Sequence, residues 1–356
     1  MMRVLVTGGA GFIGRHLVNS LVADGAQVTV VDSLVERVHG PQPSSEVVDP
    51  LHLIVGDVSA PATWAAVELD PALDVVVHLA AETSTGLSYE EAGSQVATNV
   101  LGTALMLDAL RASGARPHIV LASSRAVYGE GSWQDDDGAV YYPEPRAFDA
   151  LSEGRWEPAG LSGSPGVPLG SRADRTNPRP TSVYGATKLA QEHLLATWAL
   201  SAGTRTSILR LQNVYGPGQS LVNSYSGVVT LFARTALAGE RIPVFEDGRI
   251  VRDLVFVTDV VGAIRRAIDA PPDLSRTLDV GSGVACDLHD VARRLASLAG
   301  APEPIVTGQF RVGDVRAAYC DPALSMQQLG WTSRVSLGEG LGQLLEWIRV
   351  ASTGAS

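Results

Sequence analysis

Arg3-Val-Leu-Val-Thr-Gly-Gly-Ala-Gly-Phe-Ile-Gly-Arg-His-Leu17 is the stretch from which the rest of the chain is read. Val4 to Val6 are a short aliphatic run, Gly8, Gly11 and Gly14 fall at every third position, and Phe12, Ile13, Leu17, Val18 and Leu21 then keep helical spacing. The pattern predicts a strand, a tight turn and a helix start. Glycine suits such a turn because a Cβ at Gly8 or Gly11 would block it or hold a pyrophosphate away from the N–H groups at the helix N-terminus. Gly14 would let the helix lie against its strand. A second apolar run, Val28 to Val31, ends in Asp32, 18 residues beyond Gly14, about where a carboxylate accepts hydrogen bonds from an adenosine ribose. An ordinary turn followed by a solvated Asp is the bland alternative. Asp32 would repel a 2′-phosphate, and Ser33-Leu34-Val35 offers no arginine to hold one. NAD is therefore expected rather than NADP.

The predicted fold class is α/β, a Rossmann doubly wound parallel sheet with a smaller α/β C-terminal lobe. At 356 residues, 45% hydrophobic and 18% charged, the chain has ordinary globular composition and length for both parts. Residues 1–212 are expected to form the NAD-binding part and 213–356 mainly the substrate lobe, with a return to the sheet near 253–283. The net charge of -11 argues against a nucleic-acid or anionic-membrane surface. Cys286 and Cys320 are the only cysteines, which excludes a disulfide framework and a cysteine-rich zinc site, suits a reducing cytosol and leaves two small buried residues. The apolar run behind Met1-Met2-Arg3 stops at Thr7, too short for a signal peptide, and no run reaches the ~20 apolar residues of a membrane span. A cytoplasmic protein without metal is expected.

Further strands are predicted at Leu51–Val55, 74–79, 118–122, 206–211 and 277–280. Asp57 either faces an adenine or caps the helix over 61–67. His78 lies inside an uninterrupted apolar run and reads as a core histidine, and Ala80 and Ala81 leave room for a ligand at the strand's end. A helix from Tyr89 to Ala112 uses Val96, Val100, Leu101, Leu105, Leu107 and Leu110 as its apolar positions, with Asn99 a buried hydrogen-bonder near the cofactor or the next strand. Residues 130–179 have no steady period and read as an insertion that lids or borders the active site, or as a surface excursion without a catalytic role. Thr181 or Ser182 starts a helix. Beyond 213, helices are expected over 228–238, from a Thr258-Asp259 cap to Ile268, over 288–299 and over 337–350, with strand-like runs at 242–245 and 251–257 flanking a Glu246-Asp247-Gly248 turn.

Tyr184 and Lys188 are four apart on one helix and share a face. A phenol with pKa of about 10 is a poor base at neutral pH, but a nearby ammonium and an oxidised nicotinamide both favour the phenolate. Ser124, at the end of the preceding strand, could hydrogen-bond the same substrate hydroxyl. Tyr-x-x-x-Lys alone occurs by chance in many helices; with the glycine loop, Asp32 and Ser124 in this order it becomes specific.

These residues resemble the extended short-chain dehydrogenases/reductases of the NAD-dependent nucleotide-sugar epimerase/dehydratase family, over essentially the whole chain outside the insertion. Thr7-Gly-Gly-Ala-Gly-Phe-Ile-Gly14 is similar to the family's cofactor loop, Ser124, Tyr184 and Lys188 to its catalytic trio, and His78-Leu79-Ala80-Ala81 to its nicotinamide-side strand end. The resemblance implies cofactor contacts at Gly8, Gly11, Phe12, Ile13, Gly14, Asp32, Asp57, Val58, Leu79, Ala80, Ala81 and Asn99, besides Tyr184 and Lys188. Arg210-Leu-Gln-Asn-Val-Tyr-Gly-Pro-Gly-Gln219, Asp247-Gly-Arg-Ile-Val-Arg-Asp253 and Arg311-Val-Gly-Asp314 resemble the sugar-nucleotide segments. They imply substrate contacts at Asn213, Gln219, Arg252, Arg311 and Asp314, with Glu82, Arg125 and Phe245 beside them. A guanidinium suits a diphosphate geometrically.

Within that family, 4,6-dehydratases carry Thr-Asp-Glu where this chain has Ser124-Arg125-Ala126, so dehydration is disfavoured for want of an acid. Ser-Arg-Ala-Val-Tyr-Gly and the insertion's Gly154-Arg-Trp-Glu-Pro158 look most like the dTDP-L-rhamnose 4-epimerase group and related deoxysugar 4-epimerases. The expectation is a nucleotide-sugar 4-epimerase acting on a dTDP- or UDP-linked hexose or 6-deoxyhexose with tightly held NAD, the resemblance implying a homodimer. A 4-ketoreductase, a UDP-glucuronate decarboxylase and a non-catalytic NAD-binding regulatory protein are the alternatives.

Overall fold

Seven strands form one sheet: β1 (Arg3–Thr7), β2 (Gln27–Asp32), β3 (His52–Val55), β4 (Val75–His78), β5 (His118–Ser124), β6 (Thr206–Leu211) and β7 (Ser275–Val280), in spatial order β7-β6-β5-β4-β1-β2-β3. Every pairing in it is parallel. The computed structural model describes residues 1–40, 52–83, 91–221 and 227–353, so the predicted strand start at Leu51 and helix start at Tyr89 lie outside the described residues. Strand order reverses between β1 and β4, where the loops leaving the two strands diverge and open a crevice at their carboxyl ends.

Alternation along the strands divides the apolar residues between two faces. Val4, Val6, Val28, Val30, Val75 and Val77 join one cluster, and Leu5, Val31 and Val76 the other. The main helices are α1 (Phe12–Ala23), α2 (Gly102–Ser113), α3 (Val183–Ala202), α4 (Val228–Leu237), α5 (Val257–Asp269), α6 (Leu288–Ala299) and α7 (Leu337–Thr353). Leu17 and Leu21 of α1 and Val260 and Ile264 of α5 cover the first face; Met106 and Leu110 of α2 and Leu195 of α3 cover the second. Parallel strands buried on both sides need continuous apolar runs, which is why these segments were readable. A separate core gathers Phe232 of α4, Leu295 of α6 and Leu344 of α7 with Tyr215, Val244 and Phe256.

Three expectations are corrected. Between Ala92–Gln95 and α2 the helix takes a π form over Val96–Leu101. The wider turn shifts the helical register, so Val96 and Leu101 are each 47% exposed while Asn99 turns fully inward. Asp259 caps nothing on its own helix: α5 starts at Val257, and Asp259 Oδ2 accepts from the N–H groups of Arg334 and Val335 at 3.0 Å, tying a distant loop to the first turn. The strand-like runs flanking the Glu246 turn are strands, as expected: Pro243–Val244 pairs with Ile305–Val306, and Val251–Arg252 lies between Cys286–Asp287 and Ala317–Ala318. Cys320 is buried, but Cys286 only half so.

The 130–179 segment has structure of its own. Trp133–Gln134 pairs antiparallel with both Val140–Tyr141 and Val167–Pro168, and a short helix spans Phe148–Ser152. Trp133, 1% exposed, packs with Tyr141 against Ala317, so the segment is anchored on the C-terminal part. Two-residue strands carry no period to read.

Candidate active site

The first turn is built by close contact. Gly8 has φ +70, donates its N–H to Val31 O at 2.8 Å and abuts β4's end, where a Cβ on it would lie 2.7 Å from Ala80 N. A Cβ at Gly14 would strike the Gly8 carbonyl and sit 2.7 Å from Gly9 Cα. One at Gly11 would meet only Gly8 O, at 3.2 Å, and otherwise fill open space. Gly11 is the N-cap of α1, and no side chain caps that helix, whose first turn holds no acid. The first-turn N–H groups of Phe12, Ile13 and Gly14 are thus free for an anion, in a cradle that any Cβ at Gly11 would occupy. The Phe12 and Ile13 side chains turn away into the hydrophobic clusters.

Asp32, 7% exposed, accepts from Ala10 N at 3.0 Å and Leu34 N at 2.9 Å, and His39 Nε2 lies 3.3 Å from it. Burial works to raise its pKa, but the His39 hydrogen bond and the backbone N–H groups prevail and hold it below the usual carboxylate range. Asp32 therefore braces the glycine turn as well as standing where a ribose would lie: Oδ1 is taken by Leu34 N and His39, while Oδ2, which accepts from Ala10 N, keeps a further lone pair. His39 had no signal in the sequence beyond its proximity. Asp57 is no helix cap: its Oδ1 accepts from Ser59 N and Oγ, both at 2.8 Å, and Ala60 caps the following helix. The Val58 side chain is core, 4% exposed, leaving only its backbone for a ligand.

Around β4 the polar residues form one connected set. His78 is fully buried, with Nδ1 2.6 Å from Thr7 Oγ1 and Nε2 3.0 Å from Thr103 Oγ1, and burial followed by the Lys188 charge pushes it down to about 3. It is the satisfied core histidine expected. Leu79 N donates to Thr7 O at 3.0 Å and Ala80 N to Thr7 Oγ1 at 3.3 Å, which sets the small residues, with Ala81, at the crevice edge. Asn99 accepts from Glu82 N at 2.9 Å, returns a bond to Glu82 O at 3.0 Å and donates to Thr187 Oγ1 at 2.9 Å. It holds the chain leaving β4 to α3.

The expected trio comes together beside this crevice. Ser124 ends β5 and accepts from Ala126 N at 3.1 Å; a Cβ at Gly185 would lie 2.5 Å from Ala126 O, so the first turn of α3, capped by Ser182, rests on that turn. Tyr184 and Lys188 are 8% and 2% exposed, and Lys188 Nζ donates to Ala122 O at 2.8 Å. Burial raises the Tyr184 pKa, while its hydrogen bond with Ser124 and the Arg125 charge lower it. Burial pushes Lys188 down to about 7 against the pull of Glu192, which is itself paired with Arg210 at 2.7 Å.

Arg125 Nε donates to Asn213 Oδ1 at 2.9 Å, and the charges of Arg252, Asp314, Tyr184 and Glu130 all bear on its guanidinium. Arg252, 6% exposed, spends one N–H on Val251 O at 2.8 Å. Arg311 lies over the Phe245 ring, 5.1 Å from its centroid. Gln219 accepts from Thr230 Oγ1 of α4 at 2.5 Å, which ties it to that helix. Sequence reasoning missed the buried charges behind them: Arg146 pairs with Glu246 at 2.7 Å, and Arg316 with Glu246 at 2.9 Å and Asp247 at 2.7 Å. Among the described residues no group of His, Cys, Asp and Glu could hold a metal ion, and no helix is long and apolar enough to cross a membrane.

A glycine-lined helix start, an acid at the end of β2 and a Ser–Tyr–Lys group at one crevice are the features of an NAD enzyme, and the sequence pattern of the NAD dependent epimerase/dehydratase family matches residues 4–147 and 159–281. The chain belongs to this family. Over 353 residues it is 48% identical to the dTDP-L-rhamnose 4-epimerase of Burkholderia thailandensis, covering 97% of this chain and 94% of that one. It is 32% identical to the UDP-glucose 4-epimerase of Mycolicibacterium smegmatis, covering 98% and 99%. A solved structure of Thermus thermophilus UDP-glucose 4-epimerase in complex with NAD superposes with a TM-score of 0.76 at 30% identity, covering 98% of this chain and all (100%) of that one. The glycine cradle, the uncapped α1 and Asp32 are the parts of this family member that fit NAD.

Proposed function

We propose that this protein is a nucleotide-sugar 4-epimerase acting on a dTDP- or UDP-linked hexose or 6-deoxyhexose. The observation that carries the reading is the meeting of Ser124, Tyr184 and Lys188 beside the NAD crevice, followed directly by Arg125 and Ala126 rather than by acids. NAD, when bound, supplies a hydride acceptor that later gives the hydride back. Tyr184 takes the proton of the sugar 4-hydroxyl and returns it at the end, so no net redox change accrues. Ser124 orients that oxygen. The Arg125 charge and the Ser124 hydrogen bond favour the phenolate, which a buried tyrosine would otherwise resist, and Lys188 adds to them in its protonated form. Asn213, Arg252 and Arg311 hold the nucleotide diphosphate while the 4-keto sugar turns about that link. The substrate lies between a sheet region, residues 1–212 with the returning strand, and the part beyond 213.

The reading extends to a cytoplasmic homodimer. Val96 and Leu101 on the π-containing helix and Leu200 on α3, 47%, 47% and 67% exposed, support a helical contact between copies, and the two unbridged cysteines suit the cytosol. Sedimentation of the purified protein at the mass of one chain would remove the dimer.

The deciding experiment incubates the protein separately with dTDP-L-rhamnose, UDP-glucose, UDP-N-acetylglucosamine and UDP-glucuronate, following C4 configuration by proton NMR and NADH by absorbance. A C4 epimer without NADH accumulation is expected. Stoichiometric NADH would indicate a ketoreductase, carbon dioxide a decarboxylase, and no reaction with any sugar a binding protein.

A further inference from the structure

We propose that the 130–179 segment braces the nucleotide end of the site, with Arg146, Phe148 and Trp156 as positioning residues for the 307–314 loop that carries Arg311 and Asp314. The inference rests on the reading of Arg311 and Arg252 as diphosphate ligands. It assigns a task to a segment that the sequence left between a lid and an idle excursion.

Backbone bonds to the neighbouring strand and turn hold the first part of the loop, Thr307 N donating to Val244 O at 2.9 Å. It follows the two-residue strand Ile305–Val306 and is tied to the chain near Phe245 by Glu246 N to Gln309 O at 2.7 Å and Gly308 N to Glu246 O at 3.2 Å. Its successive residues Phe310 and Arg311 then engage different partners. The Phe310 ring meets Phe148 at 5.6 Å and Trp156 at 6.1 Å, both supplied by the segment, whereas the Arg311 guanidinium sits over Phe245. Fixing one residue of the pair fixes where the other begins.

Arg146 secures the far side. Its Nη1 and Nη2 donate to Glu246 at 2.8 and 2.7 Å, Nη2 also donates to Asp314 O at 2.7 Å, and Nη1 donates to Trp156 O at 2.9 Å. One buried guanidinium thus ties the aromatic brace, the Glu246 turn and the end of the loop together. Asp314, at that end, bears electrostatically on both Arg125 and Arg252. The family pattern matches on either side of residues 148–158 but not across them, so Phe148 and Trp156 lie outside the part of the chain that the general family pattern covers.

A brace of this kind acts on binding of the nucleotide end, which is held alike in ground and transition states, and so moves KM more than kcat. The test uses the NAD-loaded protein with Phe148→Ser and Trp156→Ala combined, which leaves the buried Arg146 pairs intact. Calorimetry with free dTDP and UDP measures the nucleotide end alone, and turnover of the accepted sugar nucleotide gives KM and kcat. We expect Kd and KM to rise roughly tenfold, kcat to stay within about threefold and bound NAD to be unchanged, with Trp156→Phe restoring most of the affinity. Unchanged Kd and KM, or a fall in kcat and NAD content instead, overturns the brace. Arg311→Ala separates the two levels of inference. If it weakens nucleotide binding while the aromatic variants do not, the brace alone fails; if it leaves dTDP and UDP affinity unchanged, the nucleotide-end reading fails first.

Discussion

Arg125 donates its Nε–H to the Asn213 side-chain carbonyl at 2.9 Å, joining the turn after β5 to the strand start just beyond β6. The bond holds a cation beside Tyr184 at a position where dehydratases of the family carry an acid. Burial, and then the neighbouring Arg252, push Arg125 down to about 9, so it remains charged at neutral pH, and its charge in turn lowers the Tyr184 pKa. Arg125→Gln removes that charge and makes the phenolate harder to form. The acidic limb of kcat/KM against pH is expected to move upward by roughly one unit, with Arg125→Lys holding most of the wild-type profile. A limb that stays in place in Arg125→Gln would dissociate Arg125 from proton transfer.

Tyr184→Phe removes the proton acceptor and little else, because the ring stays buried against the same neighbours. Turnover is expected to fall by about 10²- to 10⁴-fold while NAD remains bound. Activity within a few-fold of wild type, measured by NMR on the accepted sugar, sinks the acid–base assignment.

Legibility followed the range of the interactions. The glycine turn, Asp32 and the β4 run were readable because each depends on neighbours a few residues away or on a sheet that demands apolar residues on both faces. Ser124, Tyr184 and Lys188 were readable as a constellation, although no single one was. Arg146 and Glu246 lie 100 residues apart and join a segment without period to a turn, so nothing local announces the pair. Val96 and Leu101 were misplaced for a different reason: an assumed α-helical period was interrupted by a π turn. Asp57 and Asp259 stand near helix starts and satisfy other N–H groups, a distinction of one or two residues that composition does not carry.

Gly14→Ala tests whether the cofactor turn is set by contact. Its Cβ would press on the Gly8 carbonyl and on Gly9, both backbone, so α1 must move away from β1 and carry its free N–H groups with it. Purified Gly14→Ala is expected to lose most of its bound NAD and to melt several degrees lower, the usual response to a core strain of about 1–3 kcal/mol. Full NAD content and an unchanged Tm would show that the helix start tolerates displacement.

His118 provides a pH test of the fold itself. It is 2% exposed, lies 3.0 Å from Ser207 Oγ, and is pushed down to about 4 by burial and then by Arg276 and Arg205. An unfolded histidine titrates near ~6.5, so between that value and about 4 the unfolded chain takes up a proton that the folded one refuses. The stabilisation is complete above the upper value and is lost as pH falls through the window. His78, lowered to about 3, adds in the same direction, whereas Asp279, raised to about 7 by burial, opposes both by protonating first in the folded state. A wild-type profile alone therefore mixes opposing contributions. His118→Gln keeps a polar group facing Ser207 and does not titrate, and the difference between the two proteins isolates His118. Urea unfolding at pH 7 and pH 4.5 is expected to show wild type losing roughly 1–3 kcal/mol more than the variant on acidification. Equal losses would mean that His118 accepts its proton inside the folded protein.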